Sequence, residues 1–280
     1  MKATLKQVIE IIEQIYPPCI AEQWDSVGLI SGDENQKVNK ILIAIDPVMD
    51  VVQEAIHKKA DLLFVHHPLF LFGTKAFASN DPKGRIVREL ILNNCALYNA
   101  HTNADKANYG VSHALANLIP MKNVQVLEEN KVLDSDNNFI GLGRIGEIEP
   151  ITLKEFAKKL ARVLPADHVG LQVSGKLDDI IKTVAYSPGA GQSMLEQARK
   201  KCADVYVCAD LKHHVASEFT MGGKPYLVMP THWASEWPWV KMCASILKKV
   251  FKEKGLEISV EYSSTITDPW NMHVDNKNVV

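Results

Sequence analysis

Apolar residues at Leu5, Val8, Ile9, Ile12 and Ile15 recur at the three-to-four-residue spacing of an α-helix, and Pro17 and Pro18 stop the pattern. After the loop "AEQWDSVGLISGDENQK", the run "KILIAID" reads as a buried strand and "PVMDVVQEAIHKKA" as a helix with proline at its start. "DLLFVHH" is the next strand and "DPKGRIVRELILNN" the next helix. "CALYNAHT" and "NYGVSHALANLI" repeat the pair once more. Strands alternating with helices predict a mainly parallel sheet in an α/β fold.

The middle stretch "MKNVQVLEENKVLDSDNNFIGLGRIGEIEP" breaks this rhythm, with Asn, Asp and Gly clusters and no helical period. It reads as short antiparallel strands or a linker. The alternation then returns: helix "TLKEFAKKLARVL", strand "DIIKTVAYS", glycine turn plus helix "PGAGQSMLEQARKKCA", strands "DVYVCAD" and "KPYLVMPTH", helix "SEWPWVKMCASILKKVF", and a closing strand "LEISVEYSS". The two halves resemble each other. "IDPVMDVVQEAIHKKADLLFVHH" lies beside "YSPGAGQSMLEQARKKCADVYVCAD", and "ALYNAHTNAD" beside "YLVMPTHWASE". We read two pseudo-related α/β lobes, residues 1–125 and 126–280, with the site between them at the carboxyl ends of the strands; chance likeness of two ordinary βαβ units is the plainer alternative.

Composition narrows the class. Over 280 residues, 46% are apolar and 23% charged, the balance of a globular protein with a sizeable core. A formal charge of −2 supplies no basic field for nucleic acid or an anionic membrane. The five cysteines are odd in number and form no C-x-x-C pair, which argues against a disulfide scaffold or zinc ribbon and for a reducing cytoplasm. No apolar run approaches the roughly 20 residues of a membrane span, and the N-terminal segment lacks the apolar core of a signal peptide.

Chemistry concentrates at strand ends, where open α/β sheets place their sites. Four of these ends are polar: His66–His67, His101 to Asp105, Asp210 to His214, and His232 to Glu236. Most of the ten histidines fall there. Imidazole with carboxylate is the donor set of Zn²⁺, Fe²⁺, Mn²⁺ or Ni²⁺. The excess of candidates over the three or four ligands of one ion suggests two ions, about 3.5–4 Å apart with a bridging carboxylate. Neighbouring strand residues face opposite ways, so His66 and His67 are expected to diverge, one toward each ion. A satisfied structural pair is the rival reading of these two histidines. His113 reads as a helix residue, "PGAGQS" as a tight turn rather than an anion cradle, and Trp233, Trp237 and Trp239 as either pocket wall or core.

The motifs "WDSVGL", "FVHHPLF", "AHTNAD", "GAG", "CADLKHH" and "THWASE", in this order, resemble the NIF-three-like family, often catalogued as type 2 GTP cyclohydrolase I homologues. The resemblance covers nearly the whole chain, so residues 1–280 are expected to form one family domain without the middle insertion some members carry. It implies an α/β fold, two divalent transition-metal ions per chain and a toroidal homohexamer. It also implies the metal ligands His66, His67, Asp105, His232 and Glu236, with Glu236 bridging. His101 matches a family histidine near the site, and Asp210 and His214 match a polar tip. Departures at Ala209, Val215 and "SPGAG" fall outside the five ligands. The expected activity is hydrolysis of a small molecule, a nucleotide if the catalogue label holds, with His101 or His214 handling protons. No guanine-binding motif or P-loop lysine supports that label from the residues. The alternative is a non-catalytic metal-binding scaffold or regulator that acts through partners.

Overall fold

The computed structural model describes residues 3–133 and 139–274. The chain divides into two compact units: Met1–Ala114 with Asn130–Ile140 and Trp239–Thr267, and Leu115–Glu129 with Gly141–Pro238 and Asp268–Val280. Neither unit is a single stretch of chain, because the segment after Pro238 returns to the first unit.

The first unit is built on a five-stranded sheet ordered Ser259–Tyr262, Lys40–Ala44, Leu62–Val65, Ala96–Asn99 and Gly28–Ser31. The first three pairings are parallel, and the Gly28–Ser31 edge is antiparallel. The parallel strands are apolar on both faces, as expected where both are covered. On one face, Leu42, Leu63 and Leu97 share a core with Val51, Val52 and Ala55 of the helix Met49–His57 and with Ile86 and Leu90 of the helix Pro82–Leu92. On the other, Phe64 packs against Tyr98 and Trp239 with ring centroids 5.6 Å apart in each case. The helix Leu5–Ile15 begins in a capping box formed by Thr4 and Gln7.

The second unit carries a six-stranded mixed sheet, ordered Lys122–Leu133, Phe139–Thr152, Ile180–Ala190, Val205–Ala209, Tyr226–Met229 and Gln172–Ser174. Its central pairings, Ile180–Ala190 with Val205–Ala209 and Val205–Ala209 with Tyr226–Met229, are parallel. The helix Leu153–Val163 starts in a second capping box, Thr152 with Glu155. Its Phe156 and Leu160 join Val184, Val205 and Val228 in the core.

The internal likeness is physical as well as textual. The helices ending at His57 and Lys200 are each followed by a residue in the left-handed region, Lys59 (φ 55°) and Cys202 (φ 56°). An alanine N–H then turns back onto the helix, Ala60 to the Ala55 carbonyl and Ala203 to the Ala198 carbonyl. The aspartate that follows caps the start of the neighbouring strand. Asp61 Oδ2 accepts from the N–H groups of Asn39 and Lys40, and Asp204 Oδ2 from those of Lys182 and Thr183. The "K-A-D" and "C-A-D" tripeptides are thus one device used twice.

Several expectations need correction. The middle of the chain forms two long strands of 12 and 14 residues, hydrogen-bonded as neighbours, rather than short strands or a linker. "PGAG" is not a turn that starts a helix: the strand Ile180–Ala190 runs through Pro188 and Gly189, with a bulge between Tyr186 and Ala190, and the helix begins at Leu195. Two polar strand tips are first turns of short helices, Thr102–Lys106 and His232–Glu236. The latter is set apart from the helix Pro238–Glu253, because proline at 238 cannot continue the hydrogen-bond ladder. A further helix, His213–Met221, follows Asp210, and a strand, Gly28–Ser31, lies inside the first loop.

Candidate metal centre

In the first unit, His66 and His67 follow the last residue of the strand Leu62–Val65. The backbone stays anchored: His66 N–H is shared between the Ala44 and Ile45 carbonyls at 3.2 Å each, and His67 N–H donates to Ile45 at 2.9 Å. Beyond the strand end the two rings are neighbours. Their ring centroids lie 5.0 Å apart, and both approach His101 (5.3 and 5.7 Å). One ring nitrogen from each of His66, His67 and His101 lies within 4.8 Å of the other two.

The protons of these rings are assigned by what their Nδ1 atoms touch. His66 Nδ1 lies 2.8 Å from the Ala100 carbonyl, His67 Nδ1 2.7 Å from Asp46 Oδ1, and His101 Nδ1 2.9 Å from Asp25 Oδ1. A carbonyl or carboxylate only accepts, so each Nδ1 carries a proton, and each Nε2 of a neutral ring presents a lone pair. Imidazoles anchored in this way through Nδ1 match the way histidine ligands are held by partners behind them. Asp25 is itself braced. Its Oδ2 accepts from Thr102 N–H (3.0 Å) and Thr102 Oγ1 (2.5 Å). Burial alone would raise its carboxyl, but the His101 and Thr102 hydrogen bonds outweigh it and hold Asp25 well below the usual carboxylate range. Asp46 Oδ2 likewise accepts from Thr267 Oγ1.

Asp105 sits on the helix Thr102–Lys106, one turn after His101, with Oδ1 3.6 Å from His66 Nε2. That is too long for a hydrogen bond. Two ligands each about 2 Å from a shared ion lie roughly 3–4 Å apart. The donor set, three imidazoles with one carboxylate, therefore fits a transition-metal ion in its chemistry, and His66 and Asp105 fit it in their spacing.

In the second unit, Thr231 caps the helix His232–Glu236, with Oγ1 accepting from Ala234 N–H. His232 Nδ1 lies 2.5 Å from Asp210 Oδ2, and His232 Nε2 lies 2.9 Å from Glu236 Oε1, one turn on. Glu236 is only 3% exposed. Burial alone would lower the His232 pKa, but the Glu236 and Asp210 carboxylates outweigh it and push it up to about 11. The two carboxylates make this a locally negative setting, which suits a cation. Gly189, in the bulge of the strand Ile180–Ala190, completes it. A Cβ there would stand 2.1 Å from Glu236 Oε1 and 3.1 Å from His232 Nε2, and its φ is +68°. Its N–H donates to Ser235 Oγ at 2.9 Å, and Ser235 Oγ donates to the His232 carbonyl at 2.7 Å.

His214 occupies the first turn of the helix His213–Met221, exposed, and belongs to no ligand group among the described residues. Trp239 is core: fully buried, it stacks near His66 (5.4 Å) and donates from Nε1 to Tyr16 OH. In the sequence alone, Asp25, Asp46 and Ser235 carry no role, and Gly189 reads as part of a tight turn. Asp25 lies inside "WDSVGL" and Asp46 ends "KILIAID", so acidic residues at strand or motif ends were the available signal. The Ser235 contact has no such signal.

Comparison with known proteins gives the same picture throughout the chain. Residues 3–269 match the model of the family Duf34/NIF3 (NGG1p interacting factor 3). A Streptomyces coelicolor protein named GTP cyclohydrolase 1 type 2 homolog is 40% identical over 271 residues, covering 96% of this chain and 94% of the relative. A Clostridium perfringens protein of the same name is 30% identical, covering 95% and 98%. Among solved structures, a Bacillus cereus protein related to NIF3 superposes with a TM-score of 0.90 at 26% identity, covering 97% of this chain and 99% of the other. With its mixed α/β sheets and its anchored histidines, the chain is a member of the Duf34/NIF3 family.

Proposed function

We propose that this protein is a metal-dependent hydrolase of a small molecule, holding two divalent transition-metal ions (Zn, Fe, Mn or Ni) per chain on His66, His67, Asp105, His232 and Glu236. The observation that supports the reading is that His66 and His67, each held through Nδ1, stand together with Asp105 Oδ1 3.6 Å from His66 Nε2, and that His101 lies beside them as a proton-handling group. When bound, such ions polarise a substrate oxygen and lower the pKa of water to near neutrality. The chain's own contribution is orientation. Asp46 and the Ala100 carbonyl hold His67 and His66 with Nε2 as the donor atom, and Asp25 takes the Nδ1 side of His101, so that Nε2 is the atom that handles a proton. His214, on an exposed helix turn, is the second proton-handling residue of this proposal. The name of the relatives suggests ring-opening hydrolysis of a purine nucleotide as the first reaction to try. We further propose a cytoplasmic setting, which the five free cysteines support; among the described residues no helix is long and apolar enough to cross a membrane.

The test is elemental analysis of protein purified without chelator, followed by turnover of GTP, phosphodiesters and cyclic amides before and after metal stripping. About two ions per chain and chelator-sensitive turnover are expected. Metal retained with no turnover of any class would favour a non-catalytic metal-binding regulator instead. The fold should survive stripping, because each buried Leu, Ile or Phe contributes about 1.5–3 kcal/mol independently of any ion.

A further inference from the structure

A cavity of about 430 Å³ opens in the second unit, beside the helix Leu153–Val163, and shares no residue with the candidate metal centre. Phe156 and Leu160 line it from that helix and are buried members of the core. Leu118, Ile148 and Ile151 line it too, half-buried and packed against the same core. Val163, the last residue of the helix, is 42% exposed. The cavity is thus an apolar slot at the edge of a packed core. Its volume falls in the range of roughly 300–1,000 Å³ typical of small-molecule sites.

The polar side chains of the lining are all charged: Lys122, Glu149, Lys159 and Arg162. None of the lining side chains is a hydroxyl, an amide or an imidazole. Lys122 Nζ binds Glu149 Oε1 at 2.6 Å, which cancels the one negative charge. Glu155, one turn before Lys159, is turned to Thr152 in the capping box. Lys159 and Arg162 stand three residues apart on one flank of the helix, where such side chains are neighbours. Both are exposed, and among the described residues neither makes an ion pair. Two cations therefore remain beside an aliphatic slot.

This combination excludes several occupants. A sugar or a nucleotide carries many hydrogen-bonding groups, and burying them against aliphatic walls is costly. A two-fold contact with a second copy through the same patch would set Lys159 and Arg162 against their like. An aliphatic chain with an anionic head meets each part, because the branched side chains cover its methylenes and the two cations receive its charge. We propose that this cavity binds a medium-chain aliphatic carboxylate, with its tail among Leu118, Ile148, Ile151 and Leu160 and its head on Lys159 and Arg162. The site is separate from the hydrolytic reading above and does not depend on it.

Calorimetric titration of hexanoate, octanoate and decanoate into the full-length protein tests the proposal, with decanol and decyltrimethylammonium as controls for the head group. One carboxylate should saturate each chain, and affinity should rise roughly fourfold for each methylene buried. Both controls should bind at least tenfold more weakly than decanoate. Lys159→Gln combined with Arg162→Gln should weaken decanoate at least tenfold. Lys154→Gln combined with Lys158→Gln removes the same charge from that helix outside the cavity lining, and should stay within twofold. Val163→Glu, at an exposed position that folding tolerates, should weaken decanoate at least tenfold at unchanged hydrodynamic mass. Wild-type affinity in either the Lys159–Arg162 variant or Val163→Glu would overturn the proposal. So would decanol or the ammonium bound as tightly as decanoate, equal weakening in the two charge variants, several carboxylates per chain without saturation, or no binding. A fall in mass for Val163→Glu would also overturn it, by making the slot a contact between copies of the chain.

Discussion

The histidines of this protein differ less in their surroundings than in what stands behind them. Asp46 fixes the proton on His67 Nδ1 at 2.7 Å. Asp46→Asn can turn an amide N–H toward that nitrogen and so favour the other tautomer. A titration with Zn²⁺ should show affinity falling by about 10–100-fold, with the apo protein folded as before. Unchanged affinity would remove Asp46 from the support of the site. Gly189 is the steric counterpart. At φ +68°, with Glu236 Oε1 2.1 Å from where a Cβ would sit, Gly189→Ala must displace the carboxylate and also adopt a backbone that costs about 1–2 kcal/mol. Metal content should drop, as is also expected of Glu236→Gln. A variant with wild-type metal content would show that Glu236 has room to retreat.

At the level of elements, the two strand-capping aspartates show how the repeat is built. Asp204 receives Lys224 Nζ at 2.8 Å and the N–H groups of Lys182 and Thr183 at 2.9 and 3.0 Å. Burial would raise its carboxyl, but these three donors together lower it below the ordinary value. A carboxyl depressed in the folded state contributes stability that is present above its unfolded pKa of about 3.9 and is lost as pH falls through the folded value. Asp204→Asn should therefore cost about 1–2 kcal/mol at pH 7. The difference from wild type should shrink below pH 4. Urea denaturation at both pH values measures it, and a difference constant with pH would mean that the charge plays no part. Short helices matter equally at this scale. His101 and His232 sit where a strand gives way to a five-residue helix, which is what sets a carboxylate one turn from each.

At the scale of the whole molecule, we propose a ring of six chains, an assembly that only the likeness of the motifs suggests. We expect light scattering at micromolar concentration to give a mass near six times that of the chain, with or without chelator. A monomer would contradict the proposed assembly. Each unit has a core of its own, one centred on Leu42, Leu63 and Leu97 and one on Val184, Val205 and Val228, so neither needs metal to fold.

The strands and helices were legible because buried parallel strands must be continuous apolar runs and amphipathic helices must repeat every three to four residues; both constraints act locally. The candidate donors His66, His67, His101, Asp105, His232 and Glu236 were legible for a related reason, since polar residues that end apolar strands are costly unless used. Tertiary structure alone decided the rest. The closing strand Ser259–Tyr262 pairs with Lys40–Ala44, more than 200 residues away in the chain, and no local pattern encodes such a partner. The continuation of Ile180–Ala190 through its glycines depends on a parallel neighbour, Val205–Ala209, to receive the bulge. The proton positions on the histidines depend on Asp25, Asp46 and Asp210, which lie 76, 21 and 22 residues from the rings they orient. Sequence spacing states which side chains are available; which nitrogen keeps its proton is set by the acceptor that folding brings within 3 Å.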